Sequence, residues 1–164
     1  AESIVLLNKD TIFTNKLKDL PWNDLFMSVA YYYYGITTII FEDKQKELID
    51  ALIIAEAKAL PKLGPGIPAK EFVREVKNYF RSKGLDKYDV YPPLHGCGCA
   101  EAESPYPDEK TDIIFQPGMT VNTDISLFGH TGGSNRIEEG FVITEKGHEP
   151  LSKLVRTLCT ERLI

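Results

Sequence analysis

The segment His95-Gly-Cys-Gly-Cys-Ala-Glu-Ala-Glu103 gathers an imidazole, two thiols and two carboxylates. Read as a strand, it puts His95, Cys97, Cys99, Glu101 and Glu103 on one face, because side chains alternate with period two. Such a face has the donors to hold a metal ion. Two more carboxylates lie downstream, Asp124 in TVNTDIS and Glu138 in NRIEEGFVI. Alternation sets Asp124 beside Thr120, Asn122 and Ser126 on a polar face, opposite Val121, Ile125 and Leu127. It sets Glu138 beside Arg136, Gly140 and Val142, opposite Ile137, Phe141 and Ile143. If the apolar faces turn to a core, both acids are free to enter a cleft. The competing reading leaves both in open solvent, where most Asp and Glu side chains sit.

The thiols have two readings as well. Free Cys often packs as a small hydrophobe, so Cys97 and Cys99 can be strand packing. They can also join His95 as ligands, but a Cys-x-Cys pair without a distant partner pair is a weak zinc signature. Cys159 has no visible partner, and no spacing favours a Cys97 nucleophile paired with His130 or His148. His148 adjoins a hairpin turn and reads as exposed. His130 sits in FGHTGGSN between the two acid-bearing segments and is the candidate substrate contact or proton carrier. That loop lacks the Lys-Ser/Thr and the strand-to-helix context of a phosphate cradle.

A chain of 164 residues suffices for one domain with a core, and 43% apolar with 26% charged residues is a globular balance. A net charge of -5 gives nucleic-acid binding no support. No run of about 20 apolar residues predicts a membrane span. AESIVLLNKD lacks the basic and long apolar regions of a signal peptide. Three cysteines, two of them two residues apart, do not make a disulfide framework and point to a reducing cytoplasm.

The elements that must position these residues follow from periodicity. Residues 1–42 read as strands, with SVAYYYYGITTIIF rich in the types that suit a pleated surface; the Tyr31–Tyr34 run reads as sheet packing. Over 43–62, Leu48, Leu52 and Ala55 recur at helical spacing. LGPGIP breaks that helix. A second follows, with Phe72, Val76, Tyr79 and Phe80 in one stripe, Pro68 in the first turn and Gly84 at the C-terminal cap. Gln116-Pro-Gly-Met119 has the chemistry of a type II turn, and Glu145-Lys-Gly147 that of a hairpin. Strands, two helices and strands again predict an α+β domain, with an antiparallel sheet and helices on one face. The domain is expected over 1–154, with a tail over 155–164.

PPLHGCGCAEAESPYPD, FQPGMTVNTDISLFG and SNRIEEGFVITEKGHEPLS together resemble the second half of the pita-bread family, which includes methionine aminopeptidase, Xaa-Pro aminopeptidase, prolidase and creatinase. The order and spacing of several motifs agree over roughly residues 90–152, which is more specific than any single motif. The resemblance implies a partial pita-bread fold with a curved antiparallel sheet, and a pair of divalent transition metal ions (Mn, Co, Zn or Fe) that activates water against a peptide or small amide carbonyl. It implies metal ligation by His95, by Asp124 where the family usually has Glu, and by Glu138. Asp24 is the match for a further ligand. Glu138 or Asp124 would orient the attacking water.

The chain also departs from the family pattern. Gly35 stands where a bridging Asp is expected, and Ala102 where a second His is expected. One ion, rather than two, is therefore the expectation. The same departures keep two alternatives open: an inactive pita-bread binding module, and a metal-free creatinase-like amidinohydrolase. The family's first helical pair is missing, so the resemblance implies either a homodimer or completion by an N-terminal part. Neither nucleic acid nor membrane is expected as a partner.

Overall fold

The computed structural model describes residues 43–131, 133–153 and 156. Asp24, Gly35, the Tyr31–Tyr34 run, Cys159 and the strands expected over 1–42 lie outside the described residues.

Helix α1 spans Asp43–Ala59. Leu48, Leu52 and Ala55 are buried at the spacing read from the sequence, and Ala59 continues the row. A short 3-10 turn, Leu60–Lys62, ends it. The chain then crosses to residues 113–115, where Phe115 N–H donates to Ile67 O at 3.0 Å and Ala69 N–H to Ile113 O at 2.8 Å. Helix α2 spans Ala69–Lys83, with Pro68 at its N-cap. Gly84 closes it at φ +66°, donating to the Arg81 and Phe80 carbonyls, a left-handed cap that a Cβ would strain. Its buried stripe is Phe72, Val76 and Phe80.

The sheet has four described strands in the order β1 (Leu94–Gly96), β2 (Thr120–His130), β3 (Gly133–Thr144) and β4 (Gly147–Pro150), all antiparallel. Gln116–Met119 forms the expected turn, with Gly118 at φ +88° and Met119 N–H donating to Gln116 O. Helix α1 packs on β2, β3 and α2. One core results, in which Leu52, Phe72 and Phe80 meet Ile125, Leu127 and Phe141. Burial of each large side chain contributes roughly 1.5–3 kcal/mol before the entropy of ordering is subtracted. The face of β2 and β3 away from α1 carries the chemistry. Among the described residues no helix is long and apolar enough to cross a membrane.

Candidate metal and peptide cleft

Register places the candidate acids. Asp124 of β2 lies directly opposite Glu138 of β3, and His95 of β1 lies opposite Asn122. Because residues i and i+2 share a face, His95, Asn122, Asp124 and Glu138 all project to the same side. The side-chain distances agree. His95 Nε2 is 3.9 Å from Glu138 Oε1, and Asn122 Nδ2 donates to that same oxygen. His95 and Asp124 are buried, so the open-solvent reading fails for the group.

Two features orient the imidazole and the carboxylates. His95 Nδ1 lies 2.9 Å from Gly96 O, which accepts a hydrogen from that nitrogen and leaves the Nε2 lone pair facing Glu138. Arg136, two positions before Glu138, reaches across the ladder. Its Nε stands 2.9 Å from Asp124 Oδ1 and its Nη1 3.7 Å from Glu138 Oε2. The guanidinium carbon lies 5.6 Å from the ring centroids of both Tyr91 and Phe128. Those two rings meet edge to face at 5.1 Å, so aromatic packing holds the cation over the acids.

The titration of the acids follows from this crowding. Burial raises Asp124 above the ordinary carboxylate range, against the pull of Arg136. Glu138 is pushed up to about 7, first by burial, then by the charge of Asp124 and by a hydrogen bond to Glu101. A carboxyl that ionises near neutrality can exchange a proton with a bound group.

The segment after His95 is not the strand that alternation suggests. Strand β1 stops at Gly96. The chain then doubles back, with Glu103 N–H donating to Gly96 O at 3.0 Å and Gly96 N–H to Pro105 O at 2.8 Å. The Glu103 carboxylate accepts from Ala100 N–H inside the loop. These local acceptors compete with strand pairing. A Cβ at Gly96 would stand 2.6 Å from Ser104 O, so only glycine admits the returning chain. Cys97 is therefore half-buried and Cys99 exposed. The shared packing role expected of both thiols is wrong for Cys99. Burial also pushes the Cys97 thiol up, which opposes thiolate ligation.

His130 is not brought to the acids. It ends β2 six residues beyond Asp124, roughly 20 Å along an extended strand, and its ring meets Tyr88 edge-on at 4.8 Å. His148 is half-buried rather than exposed: its Nδ1 lies 2.6 Å from Leu63 O, and its ring stands edge-on to Phe141. Among the described residues, no three His, Cys, Asp or Glu groups converge closely enough to grip an ion. The described donors still suit one. A liganding His commonly donates its other N–H to a carbonyl, as His95 does. Buried Asp124 Oδ1 faces Arg136 but receives no hydrogen bond.

Sequence reasoning missed a second polar group, buried on the core side of the sheet. Glu56 of α1, Thr123 of β2 and Glu139 of β3 are all buried. Arg156 Nη1 lies 3.2 Å from Glu56 Oε2 and 2.9 Å from Glu139 Oε2. The signal was present. Thr123 and Glu139 interrupt the otherwise apolar rows Val121, Ile125, Leu127 and Ile137, Phe141, Ile143.

Residues 12–145 match the family model described as metallopeptidase family M24. The chain is 29% identical over 144 residues to the Xaa-Pro dipeptidase of Pyrococcus horikoshii, covering 85% of this chain and 41% of that protein. The structure resembles the prolidase from Pyrococcus horikoshii OT3 with a TM-score of 0.66 and 28% identity, over 72% of this chain and 34% of that one. The prolidase from Pyrococcus furiosus gives a TM-score of 0.63 at 26% identity, over 68% of this chain and 33% of that one. The chain thus spans about two fifths of the length of the curated relative it matches. The observed α+β arrangement is part of a pita-bread fold. Motif order, register and the match over residues 12–145 agree that this chain belongs to metallopeptidase family M24.

Proposed function

We propose that this chain carries the second half of a metal-dependent peptidase site that cleaves an N-terminal or Xaa-Pro peptide bond. The observation that carries the reading is the His95–Asp124–Glu138 group: an imidazole fixed through Nδ1, with its Nε2 facing Glu138 and with Asp124 in register beside it. These three residues, with Asp24 as the fourth, would hold one Mn, Co or Zn ion. Such an ion supplies Lewis acidity, polarising a carbonyl oxygen and making water more acidic. The protein side chains do the rest. Glu138 would take a proton from the attacking water and pass it to the leaving amine. Arg136 holds Asp124 in place. His130, on the far rim, is assigned to substrate contact rather than proton transfer. Free Cys97 and Cys99 suit a reducing, cytoplasmic setting.

A second reading has its own observation. The Arg136 guanidinium already neutralises Asp124, and Gly35 and Ala102 remove two groups the family expects. A cleft with a built-in cation suits an inactive module that binds peptides, or a metal-free hydrolase of small amides. Dipeptide assays separate the readings. Release of proline from Ala-Pro with Mn, Co or Zn, abolished by chelator and by Glu138→Gln, supports the first. Ala-Pro bound but left intact under all metals supports the module. Turnover of a small amide that survives chelator supports the metal-free hydrolase.

A further inference from the structure

Thr123 and Glu139 are direct cross-strand partners, one step along the ladder from Asp124 and Glu138. Each strand therefore sends one residue to the cleft and its neighbour to the core. On the core side, Thr123 Oγ1 lies 2.7 Å from Glu56 Oε1 and 3.2 Å from Glu139 O. A hydroxyl has one hydrogen to give. Both contacts are satisfied when Glu56 carries a proton and donates it to Thr123, while Thr123 donates to the Glu139 carbonyl. The side chains of Glu56 and Glu139 are fully buried, and Arg156 Nη1 touches both. Removing Arg156 would take the same donor from two buried carboxyl groups, and a buried polar group left without its partner is costly.

We propose that the Glu56–Thr123–Glu139–Arg156 network is the positioning device of the cleft. By tying α1 and the segment after β4 to the back of one Thr123–Glu139 rung, it fixes the height and twist at which the adjoining Asp124–Glu138 rung presents its carboxylates. Arg156 is thus a positioning residue, acting through Glu139 on its neighbour Glu138. The inference rests on Asp124 and Glu138 being the acids of the site.

The test compares wild type, Arg156→Gln, Arg156→Lys and Thr123→Val in the full 164-residue chain. The probe is Co²⁺, read by affinity and by its visible absorption spectrum. Arg156→Gln and Thr123→Val are expected to weaken Co²⁺ binding at least tenfold and to alter the spectrum, and Arg156→Lys to restore most of both. Phe80→Leu, whose residue lies in the helical core, serves as a control that lowers thermal stability without moving the spectrum. Wild-type affinity and spectrum in a destabilised Arg156→Gln protein would overturn the proposal. If wild type binds no Co²⁺, the peptidase reading fails separately, and amide hydrogen exchange decides the positioning role. Faster exchange in Thr123→Val confined to 122–126 and 136–140, and absent from the β3–β4 hairpin, supports it. Uniform or unchanged exchange overturns it.

Discussion

Asp124 and Glu138 face each other across the β2–β3 ladder, with Arg136 laid over both. Like charges on directly opposed residues of an antiparallel pair repel. Burial adds to the cost of ionising both. This rung therefore pushes the ionisation of Glu138 up to about 7.

Removing the opposing charge should release it. In Asp124→Asn, Glu138 is expected to ionise clearly below its position of about 7, because one of the causes raising it is gone. Carbon-13 NMR titration of the Glu138 carboxyl reads this. An unchanged midpoint would mean that Asp124 exerts no field on Glu138.

The buried network makes its own pH prediction. Glu139 is pushed from its ordinary 4.5 to about 8, first by burial and then by the charge of Glu56, against Arg156. A raised acid pKa means the native state binds the proton more tightly than the unfolded chain does. Its contribution is complete below about 4.5 and is lost as pH rises toward 8. Stability measured by urea unfolding should fall across that window. One linked proton sets a slope of at most about 1.4 kcal/mol per pH unit. Glu139→Gln should flatten the curve.

Gly96→Ala tests the returning loop. The new methyl would meet Ser104 O, so the 97–103 segment must shift. The Gly96 carbonyl that anchors His95 Nδ1 moves with it. Nitrogen-15 NMR of the His95 ring should then show a mixed tautomer instead of hydrogen held at Nδ1. A wild-type ring signal would show that the loop adapts without disturbing the anchor.

The helical core should behave as an ordinary close-packed interior. Phe72 is fully buried among α1, α2 and the sheet. Phe72→Ala is expected to cost about 3–5 kcal/mol in chemical unfolding. A loss under about 1 kcal/mol would mean the site collapses freely.

Much of this arrangement was legible in the sequence, where local rules and the fold agree. The Phe72, Val76 and Phe80 stripe, the Gly84 cap and the Gln116–Met119 turn each follow from a single local requirement. Asp124 and Glu138 were singled out by the motif resemblance, while alternation gave only the polar face that each shares with its strand neighbours. His95–Glu103 misled because alternation in sequence is not strand geometry. Glycines and the Glu103 carboxylate let the backbone close on itself first. The buried group was missed because Thr123 and Glu139 find their partners 67 and 17 residues away, in Glu56 and Arg156. Local periodicity carries no record of pairing at that range.

Metal content decides whether His95, Asp124 and Glu138 hold an ion. Wild type and His95→Ala are incubated with Mn, Co and Zn, desalted and submitted to elemental analysis. Wild type is expected to retain about one equivalent and His95→Ala none. No retained metal in either protein would contradict this, and would leave Arg136 as the cation that faces the two acids among the described residues.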